Sequence, residues 1–299
     1  MNLDPRTLLR TPRTAVRRLL TGDPEGAAPW VRSLGEPGDD GWFGPGSTVW
    51  RVHADAATLI GGIRALLVQA MHPTVLAGFE QHSDYREDPA ARLQRTAAFV
   101  TVATFGTAEQ AAAACDVVRR VHRPVRGRTS DGADYDASDP ELLGWVHLAL
   151  VDSLAESVRR YGTTAFDLDV YLAETARIGD ELGAANVPRD RAGLAAAFDH
   201  YRPQLTASAA LADAHAFLLS PPLPPLMRPP YSVLAAAAVA SIPDDLRGLV
   251  AARPVLPGLP ARVAGRAAAL VVAGILGRSP AASAAGHRTA RDGGAVRTT

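Results

Sequence analysis

The chain has 299 residues, 47% hydrophobic and 21% charged, with 26 Gly and 23 Pro, a composition of folded globular proteins rather than disordered or collagen-like ones. Basic and acidic residues balance at 31 each, so the molecule as a whole has no field to draw it onto nucleic acid or an anionic membrane. Every basic residue is arginine, which excludes lysine Schiff bases and the P-loop; the single cysteine, Cys115, excludes an intramolecular disulfide, a cysteine-rich zinc site, an iron–sulfur cluster and the C-x-x-C-H attachment of c-type haem.

Residues 1–45 mix charge with the turn-rich GEPGDDGWFGPG and read as an arm with one short helix around Pro12–Leu20. The arginine-bearing N-terminus has no apolar stretch of about 7–15 residues, so it does not read as a secretory signal, and a cytoplasmic location is expected. From Ala54 the apolar residues recur at helical spacing (Leu59, Ile63, Leu66, Leu67, Ala70) until Pro73 ends or kinks the helix after His72. Asp88-Pro89 predicts a capped helix to Thr104, Thr107-x-x-Gln110 a capping box opening 108–123, and Ser138-x-x-Glu141 another opening 140–161. Further helices are predicted over 167–183, 190–200, 203–219, 231–241, 243–252 and 260–276, and no run has the alternation of a strand. The longest apolar stretches, Val233–Ile242 and Ala267–Gly277, fall short of the roughly 20 residues that cross a bilayer. The expectation is an all-α fold in a single helical domain over 46–278, with the Pro-rich PPLPPLMRPPY as a crossing and 279–299 as a disordered tail.

Three of the eight histidines fall on apolar helix faces, His122 and His147 among them. His122 lines up with Cys115, Val118 and Val125, and His147 with Leu143, Leu150, Val151 and Leu154. Each is either a core imidazole bonded to a carbonyl or a ligand facing an apolar pocket. Arg92, Arg95, Thr96 and Phe99 share one helix face; it is either a solvated face paired with Glu87 or Asp88, or a site for an anionic group or a polar oxygen species. The cluster from Arg119 to Arg128 suits the propionates of a porphyrin or a phosphate. HExxH, Glu-x-x-His pairs, GxSxG and GxGxxG are all absent.

The stretch WRVHADAATLIGGIRALLVQAMHPTVLAGFEQHSDYREDPAARLQRTAAFVTVATFG, followed by RRVHRPVRG and DPELLGWVHLALVDS, resembles the oxygenase family of latex clearing protein (rubber oxygenase) and the fungal MpaB. The resemblance implies an all-α, globin-like core holding non-covalent haem b, and addition of dioxygen across a carbon–carbon double bond of a hydrophobic, isoprenoid-like substrate. The family's distal Arg-x-x-Lys-Thr signature matches Arg92, Arg95 and Thr96, with arginine in place of lysine. Arginine stays protonated and cannot ligate iron as a neutral amine. The proximal ligand implied is His122, the only histidine between Thr96 and His147; His72 and His147 are the alternative haem contacts, and Arg126 and Arg128 the propionate partners. The family's acidic base has no counterpart in the helix that runs from His72-Pro73 to Glu80 and His82. A haem-binding sensor or carrier and a cofactor-free helical binding protein are the rival readings.

Overall fold

A computed structural model describes Thr14 and residues 16–250, 261–276 and 279–295. The fold is all-α, with helices ordered Pro29–Ser33, Thr48–His53, Thr58–Gln69, Pro73–His82, Pro89–Phe105, Ala108–His122, Pro140–Tyr161, Leu168–Leu182, Arg191–Tyr201, Ala209–Leu219, Arg228–Ser241, Asp244–Arg247, Ala261–Leu276 and Pro280–Ala295. The described residues form two compact units. One takes Met1–Ala54, Asp84–Val117 and Val271–Thr299, the other Asp55–Ser83 and Val118–Leu270.

The first unit corrects two expectations. The arm contributes core rather than loops: Val31 and Leu34 are buried with Trp50, Phe105, Ala281 and Ala285, and the Trp50 and Phe105 rings meet edge to face at 4.8 Å. Of the helix expected around Pro12–Leu20, residues 12, 13 and 15 lie outside the described residues. The expected disordered tail is also wrong over 280–295, which form a helix because they carry Ala281, Ala285 and Arg288 into that core. Arg288 is 1% exposed and donates from Nη1 to Leu34 O (2.7 Å) and from Nη2 to Phe105 O (3.0 Å). Both carbonyls end helices, where no intrahelical donor reaches them and the dipole favours a cation. The Thr107/Gln110 capping box forms as the sequence predicts, with Gln110 N donating to Thr107 Oγ1 (3.1 Å) and Thr107 N to Gln110 Oε1 (3.0 Å). Gly41 sits at φ +79° with Gly106 O where a Cβ would fall, so no side chain fits there.

In the second unit the Thr58–Gln69 helix is packed between Pro140–Tyr161 and Arg228–Ser241. Gly61 lets two helices approach: a Cβ would stand 2.9 Å from Ser153 O and 3.0 Å from Leu154 Cα. Arg64, 1% exposed, reaches Asp152 Oδ2 (2.7 Å) and donates to Ser153 Oγ (2.7 Å) and Ser241 O (3.3 Å), tying all three helices. Pro73 stops the central helix as expected but also starts Pro73–His82, because its fixed φ and missing N–H suit a first helical position. Asp139, not Ser138, caps Pro140–Tyr161, accepting from Glu141 N at 2.9 Å. Two short strands, Arg126–Arg128 and Asp134–Asp136, form a hairpin that the sequence reading missed. Its register sets Arg126 opposite Asp136 and Arg128 opposite Asp134 in exposed pairs, while the buried Tyr135 between them donates its hydroxyl to Gln81 Oε1 (2.9 Å). Residues 203–208 stay outside the Ala209–Leu219 helix, and the helix predicted over 243–252 is Asp244–Arg247, with 251–252 outside the described residues.

Arg64→Met strands the Asp152 carboxylate in the core, a loss of about 3–5 kcal/mol by analogy with broken buried pairs. Urea denaturation of Arg64→Met against Arg64→Met/Asp152→Asn checks this, and the double variant is expected to recover part of the loss.

Candidate functional site

In the first unit, Asp88 caps the Pro89–Phe105 helix by accepting from Ala91 N (3.0 Å), with Pro89 at its first position. Arg92, Arg95 and Thr96 follow within its first two turns. Arg92 is half-buried, and desolvation followed by the nearby Arg95 charge lowers its pKa. Thr96 Oγ1 donates back to Arg92 O (3.2 Å), whereas Arg95 is exposed. On the same helix Thr104 Oγ1 donates to Val100 O (2.7 Å) and stands 2.7 Å from His53 Nδ1. A hydroxyl has one proton to give, so His53 Nδ1 is the donor to Thr104. Burial lowers the His53 pKa to about 4 and keeps the ring neutral. The sequence reading passed over His53, because its partner is 51 positions away.

In the second unit, His72 Nε2 donates to Gln204 Oε1 (3.1 Å) and its ring lies 6.4 Å from that of Trp145. Trp145 Nε1 in turn donates to Gln69 O (3.1 Å), and His215 Nε2 to Leu67 O (2.9 Å). These two donors serve carbonyls at the buried C-terminal end of the Thr58–Gln69 helix. His147 is enclosed where the Leu168–Leu182 helix rests on it: a Cβ at Gly179 would stand 3.1 Å from His147 Nε2 and 2.9 Å from Val187 Cγ2. Desolvation drives its pKa down to about 4 against a weaker opposing pull from Asp180. His72 Nδ1, His147 Nε2 and His215 Nδ1 are buried ring nitrogens without a hydrogen-bond partner. His122 occupies the last turn of Ala108–His122, half-buried and thus reachable from outside the core.

The remaining predicted residues fall elsewhere. Arg126 and Arg128 are exposed and bonded to Asp136 (2.7 Å) and Asp134 (2.6 Å), a placement that gives a propionate role no support. His82 Nε2 donates to Arg126 O (3.1 Å), and the exposed His200 pairs with Glu141. The structure thus groups Arg92, Arg95 and Thr96 on one helix of the first unit, and places His72, His122, His147, Arg126 and Arg128 in the second. Among the described residues no three His, Cys, Asp or Glu side chains are placed to hold a bare metal ion. The buried ring nitrogens left without a partner, His72 Nδ1, His147 Nε2 and His215 Nδ1, have the donor chemistry of a single axial ligand.

A family model described as the ER-bound oxygenase mpaB/B'/rubber oxygenase catalytic domain matches residues 50–274. With an all-α fold and that match over most of the chain, the molecule is an oxidoreductase of oxygenase type. It belongs to the mpaB and rubber oxygenase catalytic-domain family. No curated protein and no solved structure matches it.

His147 gives this unit a pH dependence whose sign follows from its lowered pKa. The unfolded ring takes a proton near pH 6.5 while the folded ring refuses it until about pH 4, so the contribution is complete above pH 6.5 and is lost as pH falls towards 4. The loss is on the order of 2–3 kcal/mol. Comparing urea midpoints at neutral pH and pH 4.5, His147→Phe is expected to lose less stability over that interval than the parent.

Proposed function

We propose that this protein is a haem b-dependent oxygenase that adds dioxygen across a carbon–carbon double bond of a hydrophobic, isoprenoid-like small molecule. The observation that carries the haem reading is the oxygenase-family match over residues 50–274, beside histidines that can each offer one axial nitrogen, half-buried His122 and the unpartnered ring nitrogens of His72 and His147. Family membership supports the oxygenase half of the reading.

His122 is the ligand we assign. The family signature implies it, and it stands half-buried in the last turn of Ala108–His122, whereas His147 is enclosed under Gly179; His72, with Nδ1 unpartnered and Nε2 held by Gln204, is the alternative. When bound, haem supplies the redox chemistry that lets dioxygen react with an alkene. In the balanced reaction one C=C and one dioxygen give two carbonyl groups, with no further oxidant or reductant.

This chain's own part is to bind and orient. Arg92, half-buried and cationic, has the chemistry to donate hydrogen bonds to an oxygen atom that gains negative charge during reaction, the distal role that the family signature implies for it. Thr96 Oγ1 already gives its proton to Arg92 O, so in this arrangement it offers lone pairs rather than a proton. Arg95, exposed, acts on Arg92 through charge: two guanidiniums one turn apart strengthen the local positive field.

Purified from haem-replete cells, the protein is expected to show a Soret band and to release its haem into acidified organic solvent. A colourless protein that also fails to take up haemin overturns the proposal. His122→Ala is expected to lose most of its haem at unchanged helicity; retention of haem there, with loss in His72→Ala or His147→Ala, moves the ligand. Arg92→Met is expected to keep its haem and lose roughly 100–1,000-fold in alkene turnover, the typical effect of removing one preorganised donor. Arg95→Ala, at the exposed position, is expected to cost less than Arg92→Met, measured as oxygen consumption with a panel of terpenoid alkenes.

A further inference from the structure

The balance of charge in the whole chain conceals a local imbalance. Between Asp245 and Asp292 there is no acidic residue, against seven arginines, of which Arg247 pairs with Asp244 and Arg288 is buried, while Arg262 and Arg266 belong to residues 261–276. The centre of this segment folds as the Ala261–Leu276 helix. Gly265 and Ala269 form its inner side: a Cβ at Gly265 would stand 2.7 Å from Tyr161 Cε1 and 2.8 Å from Ala237 Cβ, so Gly265 is packed hard against those two residues.

The outer side is apolar and uncovered. Val263, Leu270 and Val271 are 61%, 49% and 60% exposed, and at 100° per residue they fall on one face with the exposed Ala267 and Gly274. Only six large hydrophobic side chains are this exposed among the described residues, and three of them stand here. Single exposed aliphatics are ordinary, but three on one helix face form a patch of the kind that marks a contact with a partner. Arg266, also exposed, flanks the stripe.

Charge decides what that partner is. A second copy of this helix would bring one acid-free, arginine-bearing segment against another, a like-charge juxtaposition that opposes pairing. A lipid surface with anionic headgroups offers what the face lacks, acyl chains for the aliphatics and phosphates for the arginine. The helix has 16 residues, and no single helix among those described is long and apolar enough to cross a membrane, so this one would lie along the interface.

We infer that the outer face of the Ala261–Leu276 helix docks on an anionic lipid surface, with Val263, Leu270 and Val271 entering the acyl boundary and Arg266 at the headgroups. The inference uses neither haem nor turnover. Its test is co-sedimentation of the full chain with vesicles of phosphatidylcholine alone and with vesicles in which a quarter of the lipid is phosphatidylglycerol. Binding is expected on the anionic vesicles only. Arg266→Glu should weaken it at least about fivefold, the effect of one basic residue near such a surface. Val263→Ser/Leu270→Ser should abolish binding at unchanged circular dichroism, while Val170→Ser, an exposed valine on another helix, should leave it intact. Should the double variant fail to fold, Arg266→Glu decides alone. The inference is overturned by failure to bind anionic vesicles, by unchanged binding of the variants, or by a lipid-free dimer that Val263→Ser/Leu270→Ser dissolves, which would make this a face between copies.

Discussion

The second unit depends on one buried cation. A guanidinium at 1% exposure has lost its hydration, and only a carboxylate and well-placed oxygens make that tolerable. Arg64 finds Asp152 and Ser153 on one neighbouring helix and Ser241 O on another, so sliding any of the three helices would strand the charge. Gly61, one turn earlier, lets the backbones come close enough for these contacts. The rest of the register follows. Once Ser153 faces Arg64, Trp145 on the same helix reaches the Gln69 carbonyl, and His147 turns towards Gly179.

The histidines then divide by what their nitrogens are committed to. His215 satisfies a carbonyl at a buried helix end, and His72 holds a glutamine from the segment after Arg191–Tyr201, so both are parts of the framework. His53 is oriented by a hydroxyl whose own proton is already given away, which fixes its tautomer without any charged neighbour. This is economical for an oxidoreductase core, because neutral rings impose no field of their own on the chemistry nearby.

The sequence disclosed most of the helices and little of the contact map. Caps and prolines announced Pro89–Phe105, Ala108–His122 and Pro140–Tyr161 because those signals are local. The hairpin was missed because its strands are three residues each, too short for alternation to show, and set arginine opposite aspartate. The terminal helix was missed because its small, weakly patterned residues gain helicity from packing, not from propensity. At the site, Arg92, Arg95 and Thr96 could be placed on one helix from spacing, but not the difference in exposure that separates Arg92 from Arg95. Arg64 and Asp152 do carry a signal in the sequence: each is a lone charge inside an apolar helical run, LIGGIRALLVQ and HLALVDSLA, and the two are opposite in sign.

Arg288 has a consequence for the order of events during synthesis. The carbonyls it satisfies belong to Leu34 and Phe105, so the first unit draws on sequence that the ribosome delivers at widely separated times. Until residue 288 has left the exit tunnel, two helix ends that the finished molecule buries must be held by water or by a chaperone. The second unit is complete by Leu270 and has its own cation and counterion, so its helices can lock while the first unit still waits for its last segment.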